Sequence, residues 1–90
     1  MLYRRSHSVV IQEVGYEEEI MVYDIEKGML HFVNASAAEI LKIVEQEISL
    51  EGIISKISYQ YDVEQEMVAE DVQHILEQFI EKDIVQVMEA

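Results

Sequence analysis

The 90-residue sequence contains no cysteine, and this absence excludes disulfide bonds, thiolate nucleophiles and cysteine-ligated zinc sites. It also lacks proline, and its three glycines are isolated, so no glycine-rich phosphate-binding loop is present. No apolar run approaches the roughly 20 residues of a membrane-spanning helix, and no signal-like apolar segment follows Met1–Arg5. We therefore expect a cytoplasmic protein.

Basic residues are scarce. Six Lys and Arg stand against 19 Asp and Glu, which gives a formal net charge of −13. Proteins that bind nucleic acids or anionic membranes neutralise phosphates with Lys and Arg. We therefore expect neither a nucleic acid nor a membrane among the partners.

The composition is that of a globular protein. Apolar residues make up 50% of the chain and charged residues 28%, whereas disordered chains combine low hydrophobicity with high net charge. A chain of this length supports one hydrophobic core, and we find neither an internal repeat nor a linker. We expect a single domain over residues 1–90.

The chain up to Asn34 has the spacing of β-strands. Apolar and β-branched residues predict strands at Ser8–Val14, Ile20–Ile25 and Met29–Val33. Tight connections between them, including a turn at residues 26–28, predict an antiparallel meander. Residues 1–17 are interpreted as an N-terminal arm and the first strand.

The chain after Asn34 has helical spacing and predicts three helices. The expected N-caps are Asn34, with a capping box of Ser36 and Glu39 as the alternative, then Ser49 and Asp62. The third helix runs to about Lys82. Residues 84–87 predict a short strand or a packed tail. The fold class is therefore α+β. The three apolar stripes are Ala37, Ile40, Leu41, Val44 and Ile48; Leu50, Ile53, Ile54, Ile57 and Tyr61; and Val68, Val72, Ile75, Leu76 and Phe79.

The sequence offers no pattern typical of catalysis. Its histidines are His7, His31 and His74, and only His74 has a carboxylate, Glu77, at a spacing that suits a metal pair. Metal-binding helical bundles need such a pair on two helices together with further carboxylates. No nucleophile motif is present either. We expect a protein that is not an enzyme and holds no metal or cofactor.

Binding surfaces are the remaining candidates. The strand Met29–Val33 ends the predicted sheet and would leave backbone groups unpaired along one side. Residues on one flank of the third helix complete the candidate surface: Met67, Asp71, His74 and Gln78. These residues also suit an ordinary helix boundary, so the pattern leaves both interpretations open. An edge strand beside a mixed helix flank is a common arrangement for capturing an extended peptide.

The order and spacing of several short motifs resemble those of PqqD-like proteins. A Gly turn leads into a strand that ends in an apolar residue and Asn, and a pair of small residues then begins a helix. The resemblance extends over residues 18–88. The matching segments are Tyr23–Ile25, Lys27–Asn34, Ala37–Leu41, Leu50–Ile54, Val68–Val72, Ile75–Leu76 and Phe79.

The resemblance implies a winged-helix-like domain known as a RiPP recognition element. Such domains bind the leader segment of a ribosomally synthesised precursor peptide and present it to modifying enzymes or a leader peptidase. The implied oligomeric state is a monomer or a weak dimer. On this chain the implied leader-binding residues are Met29, Leu30, His31, Phe32 and Val33 on the strand, and Met67, Asp71, His74 and Gln78 on the third helix.

The chain departs from the family pattern at three points. Leu41 stands where members often have an aromatic residue, and Asp83 precedes two apolar residues where many have Gly. The proline-containing stretch that is usual in pyrroloquinoline quinone biosynthesis is missing. These differences favour a stand-alone element of a lasso-peptide or related pathway.

Two other functions fit the predicted architecture. A winged-helix regulator would read DNA through its third helix, but residues 64–83 carry seven acidic residues and one basic residue, a net charge of −6. A structural adaptor would bind an enzyme of a complex without any leader.

Overall fold

A computed structural model describes residues 1–12 and 20–89. It is an α+β fold, as predicted, with two antiparallel sheets and three helices. No helix within these ranges is long and apolar enough to cross a membrane. The strands are β1 (Leu2–Arg5), β2 (Val9–Gln12), β3 (Ile20–Asp24), β4 (Met29–Val33), β5 (Ile48–Ser49) and β6 (Val85–Met88). The helices are α1 (Ala35–Ile43), α2 (Leu50–Tyr61) and α3 (Gln65–Glu81).

The first sheet is the predicted meander. Its strand order is β2-β3-β4, and both pairings are antiparallel. The described part of the first predicted strand matches β2, and residues 13–14 lie outside the described ranges. Gly28 has a φ of 65°, which a Gly adopts without steric penalty, and it closes the hairpin between β3 and β4.

The second sheet was not predicted. Residues that we expected to form an N-terminal arm make its central strand β1, in the order β5-β1-β6. The C-terminal patch forms a strand, β6, which pairs with β1 from Leu2↔Met88 to Arg5↔Val85. The local pattern gives no sign of β1 because it contains two arginines and pairs with residues more than 40 positions away. Pairing over such distances is a property of the tertiary structure.

The first two helices begin as predicted. The Asn34 side chain accepts a hydrogen bond from the Ala37 N–H at 2.9 Å, and Ser49 accepts one from Gly52 at 3.1 Å. These bonds satisfy amides of the first helical turn. The placement of Ile48 on the first helix was wrong, because α1 ends at Ile43 and Ile48 belongs to β5.

Two expectations about the region between α2 and α3 were also wrong. Asp62 ends α2 in the left-handed conformation, with a φ of 53° and a ψ of 50°, and does not cap α3. The N-cap of α3 is Glu64, which makes no side-chain capping bond. Tyr61, predicted in the buried stripe, is 44% exposed because it lies in the last turn of α2, at the edge of the packed interface.

The core joins all three helices to both sheets. Ile53 of α2 and Leu76 of α3 are buried together with Leu41 of α1. Val22 of β3 belongs to the same cluster, as does Val85 of β6. Because α3 contributes its buried stripe to this cluster, its opposite flanks remain available on either side of the helix.

A buried carboxylate fixes the hairpin that precedes β4. Asp24 is 2% exposed, and its Oδ1 accepts hydrogen bonds from the Ser8 hydroxyl at 2.9 Å and from the N–H groups of Glu26 and Lys27 at 3.1 and 3.2 Å. Burial acts to raise the pKa of Asp24. These hydrogen bonds and the charge of Lys27 outweigh it, so that the pKa is lowered from its usual 3.8.

We expect this carboxylate to make stability depend on pH. A group whose pKa is lower in the folded state stabilises the fold above its unfolded pKa, and this contribution disappears as pH falls through the folded pKa. Asp24→Asn should therefore be less stable than the parent at about pH 7, with the difference shrinking below about pH 4. Urea denaturation of both proteins across this range measures the difference. A difference that stays constant with pH would contradict the assignment.

Candidate functional site

Strand β4 lies at the edge of its sheet and, within the described part of the chain, pairs only with β3. Hydrogen bonds at the start of the hairpin show which residues of β3 face it. The Ile25 N–H donates to the Ser8 carbonyl at 2.9 Å, so Ile25 faces β2. Neighbouring residues of a strand direct their backbone groups to opposite sides. Asp24, Val22 and Ile20 therefore direct their backbone groups towards β4.

The register of the β3–β4 pair shows which residues of β4 direct their backbone groups towards β3. Met29, His31 and Val33 stand opposite the three residues that face β4, so their N–H and C=O groups bond with β3. Leu30 and Phe32 direct their backbone groups to the free side. An added strand can therefore form backbone hydrogen bonds with β4 at these two residues.

The side chains of β4 also alternate. His31 pairs with Val22, which is fully buried, so His31 and Val33 point to the core face and are half-buried. Leu30 and Phe32 point to the opposite face and are 50% and 58% exposed. The predicted strand residues thus divide into two inward and two outward side chains, with Met29 exposed at the start of β4.

A groove of about 210 Å³ separates the end of β4 from α3. Aliphatic and aromatic side chains line it together with amide groups and one ammonium group. This composition suits an apolar side chain from a peptide whose backbone remains near polar groups. The lining residues are Phe32, Val33, Asn34, Ala37, Ile75, Gln78, Phe79 and Lys82.

Of the four residues predicted on the third helix to bind a leader, the structure places one in the groove. Gln78 lines the groove, whereas Met67, Asp71 and His74 are exposed on α3 and do not line it. Met67 is 71% exposed. The side-chain nitrogens of His74 Nε2 and Gln78 Nε2 lie 3.4 Å apart, so the two side chains contact each other on this flank.

Sequence reasoning missed several groove residues. Ile75 was placed in the core stripe but is half-buried at the groove, and Lys82 was considered only as the helix end. Their spacing with Gln78 was the available signal, because residues three, four and seven apart share one helix face. Within the described ranges, no group of three His, Asp or Glu residues could hold a metal ion.

Fold and site together define an α+β, winged-helix-like domain with an open sheet edge beside a helix groove. The chain belongs to the PqqD family, since the family model for coenzyme PQQ synthesis protein D (PqqD) matches residues 19–85 of the sequence. The resemblance inferred from the motifs is thereby confirmed. A comparison with curated proteins gave no match.

Two solved structures share this fold. One is TbiB1 in complex with the TbiA(beta) leader peptide, with a TM-score of 0.74 and 20% identity over 97% of this chain and 99% of that one. The other is lasso peptide synthetase B1 complexed with the leader peptide, with a TM-score of 0.72 and 16% identity over 94% and 98% of the two chains. At these identities, the likeness establishes a common fold.

Proposed function

We propose that this protein is a non-catalytic, cytoplasmic module that captures the leader of a ribosomally synthesised precursor peptide. It presents that leader to a modifying enzyme or a leader peptidase. The observation that carries the proposal is the side of β4 that has no strand partner among the described residues and lies beside the α3 groove. Both structural neighbours are named as complexes with leader peptides, which supports the same role here.

The leader would bind as a fourth strand of the β2-β3-β4 sheet. Backbone bonds at Leu30 and Phe32 supply affinity that depends little on leader sequence, at about 0.5–1.5 kcal/mol net for each bond. Selectivity comes from the leader side chains that point into the groove. Ile75 and Phe79 line the groove and offer apolar contacts to one aliphatic or aromatic leader side chain.

Charge contributes a long-range attraction. The protein carries a net charge of −13, so a leader rich in Lys and Arg would be drawn to it. Salt screens this attraction, and association should therefore slow as ionic strength rises.

Titration of the purified protein with synthetic leaders tests the proposal. The candidate peptides are the leaders encoded by small precursor genes near this gene. Their binding is measured by fluorescence anisotropy. The matched controls are scrambled peptides of the same composition. We expect saturable binding of one leader and none of its scrambled control. Failure of every candidate leader to bind at tens of micromolar would overturn the proposed function.

The same reagents separate this function from its alternatives. A structural adaptor would co-purify with a pathway enzyme whether or not precursor is added, whereas a leader-presenting module should bind the enzyme better with precursor present. A regulator would give a sequence-specific mobility shift with DNA at low salt. The acidic residues exposed on α3, among them Glu66, Glu70 and Glu77, oppose contact with phosphates.

A further inference from the structure

One face of α3, continued by its C-cap, carries two opposite charges about three turns apart. Ile75, Gln78 and Lys82 all line the groove. Asp71 precedes Ile75 by four residues, so it lies on the same face one turn nearer the helix N-terminus. These four residues form a charged stripe: the acidic Asp71, the apolar Ile75, the amide of Gln78 and the cationic Lys82. Asp71 and Lys82 are 11 residues apart, which corresponds to about 16 Å along the helix axis.

Both charges are available to a ligand. Lys82 is exposed, and neither it nor Asp71 forms an ion pair with any residue in the described ranges. The neighbouring Asp83 is already paired with Lys27 at 2.7 Å. Lys82 is also the only Lys or Arg after Lys56 in the sequence, so it is an isolated cation within an acidic segment.

The stripe runs alongside the edge strand. The Lys27–Asp83 ion pair holds the hairpin before β4 at the C-terminal end of α3. Asn34, just after β4, lines the groove together with Ile75, near the middle of the helix. Lys82 lines the same groove, so a peptide that extends along β4 passes Lys82 beside the end of the strand and approaches Asp71, one turn beyond Ile75, as it continues.

We propose that this stripe selects leaders by the order of their charges, with an acidic leader residue beside Lys82 and a basic one beside Asp71. The inference rests on the proposed function. A strand advances about 3.3 Å per residue, so 16 Å corresponds to about five residues. Because alternate residues of a strand share a face, the acidic and basic leader residues are about four or six positions apart.

A double charge exchange isolates this effect. Asp71→Lys combined with Lys82→Glu reverses the charge order and leaves the net charge at −13, so long-range attraction is unchanged. The probes are two synthetic peptides based on the leader identified by titration. They have equal composition and carry Glu and Lys four positions apart, in one order or the other.

We expect the parent to prefer one peptide and the double variant to prefer the other. An exposed ion pair contributes about 0.6 kcal/mol, which is about threefold in affinity, so each single variant should change the preference about threefold and the double variant about tenfold. The matched control is Glu51→Lys with Lys56→Glu on α2. It exchanges the same charges away from the groove and should leave the preference unchanged.

The possible results are distinct. A parent that binds both peptides equally, or a double variant that keeps the parent's preference, overturns the charge-order proposal while leader binding stands. If the parent binds no leader, the proposed function fails and this inference fails with it. Circular dichroism confirms that the variants fold, which is expected because both replaced side chains are exposed.

Discussion

Leu30→Pro and Phe32→Pro should each weaken leader binding by about 100-fold, whereas Leu30→Ala and Phe32→Ala should retain most of it. These two residues direct their N–H groups to the free side of β4. Proline removes that donor and leaves a leader carbonyl unpaired, which costs about 1–3 kcal/mol, and its ring occupies the position where an added strand would approach. Alanine keeps the donor and loses only side-chain contacts. Anisotropy titration with the leader measures both effects.

Two further proline variants serve as controls. His31→Pro removes a bond to β3, so it should lower stability in addition to any effect on binding. Ile11→Pro alters an amide on the opposite edge of the same sheet and should leave leader affinity unchanged if the protein folds. If the folded Leu30 and Phe32 proline variants both bind the leader like the parent, strand addition at β4 is wrong.

Val72→Asp should unfold the domain or lower its free energy of unfolding by about 3–5 kcal/mol. Val72 is 2% exposed and lies in the buried stripe of α3, where a carboxylate would be removed from water. The total stability of a domain of this size is about 5–13 kcal/mol, so the loss is a large part of it. Urea denaturation monitored by circular dichroism gives the value.

Gln73→Asp is the matched control for this substitution. It introduces the same charge one residue further along α3, at an exposed position. We expect a change within about 0.5 kcal/mol. Equal destabilisation by the two variants would mean that added negative charge, and not burial of the carboxylate, causes the loss.

Local patterns predicted much of the fold. The meander, the Asn34 and Ser49 caps and the buried stripe of α3 follow from residues close together in sequence. The second sheet does not, because β1 pairs with strands distant in the chain and none of the three strands exceeds four residues. Asp is common at helix N-caps, so Asp62 was expected to begin α3. Asp also tolerates the left-handed conformation that ends a helix, and Asp62 adopts it at the end of α2.

The candidate site shows the same division. The sequence predicted the edge strand and one flank of α3, since both depend on periodicity. It could not assign outward amides to Leu30 and Phe32, because that requires the register with β3 and the hydrogen bond of Ile25. Nor could it place Lys82 in the groove, because helical periodicity defines a face without showing which strand lies opposite.

The backbone just beyond α3 affects how a peptide would bind. Asp83, two residues after the helix, adopts a φ of 59°, a conformation that Gly adopts most readily. Asp adopts this conformation less readily than Gly, but the Asp83 carboxylate forms an ion pair with Lys27 and so connects the β3–β4 hairpin to the end of α3. The hairpin at the start of β4 is thus linked to the end of α3 before any peptide arrives. Because this hairpin is already restrained, adding a strand to β4 costs less conformational entropy than it would with a free hairpin.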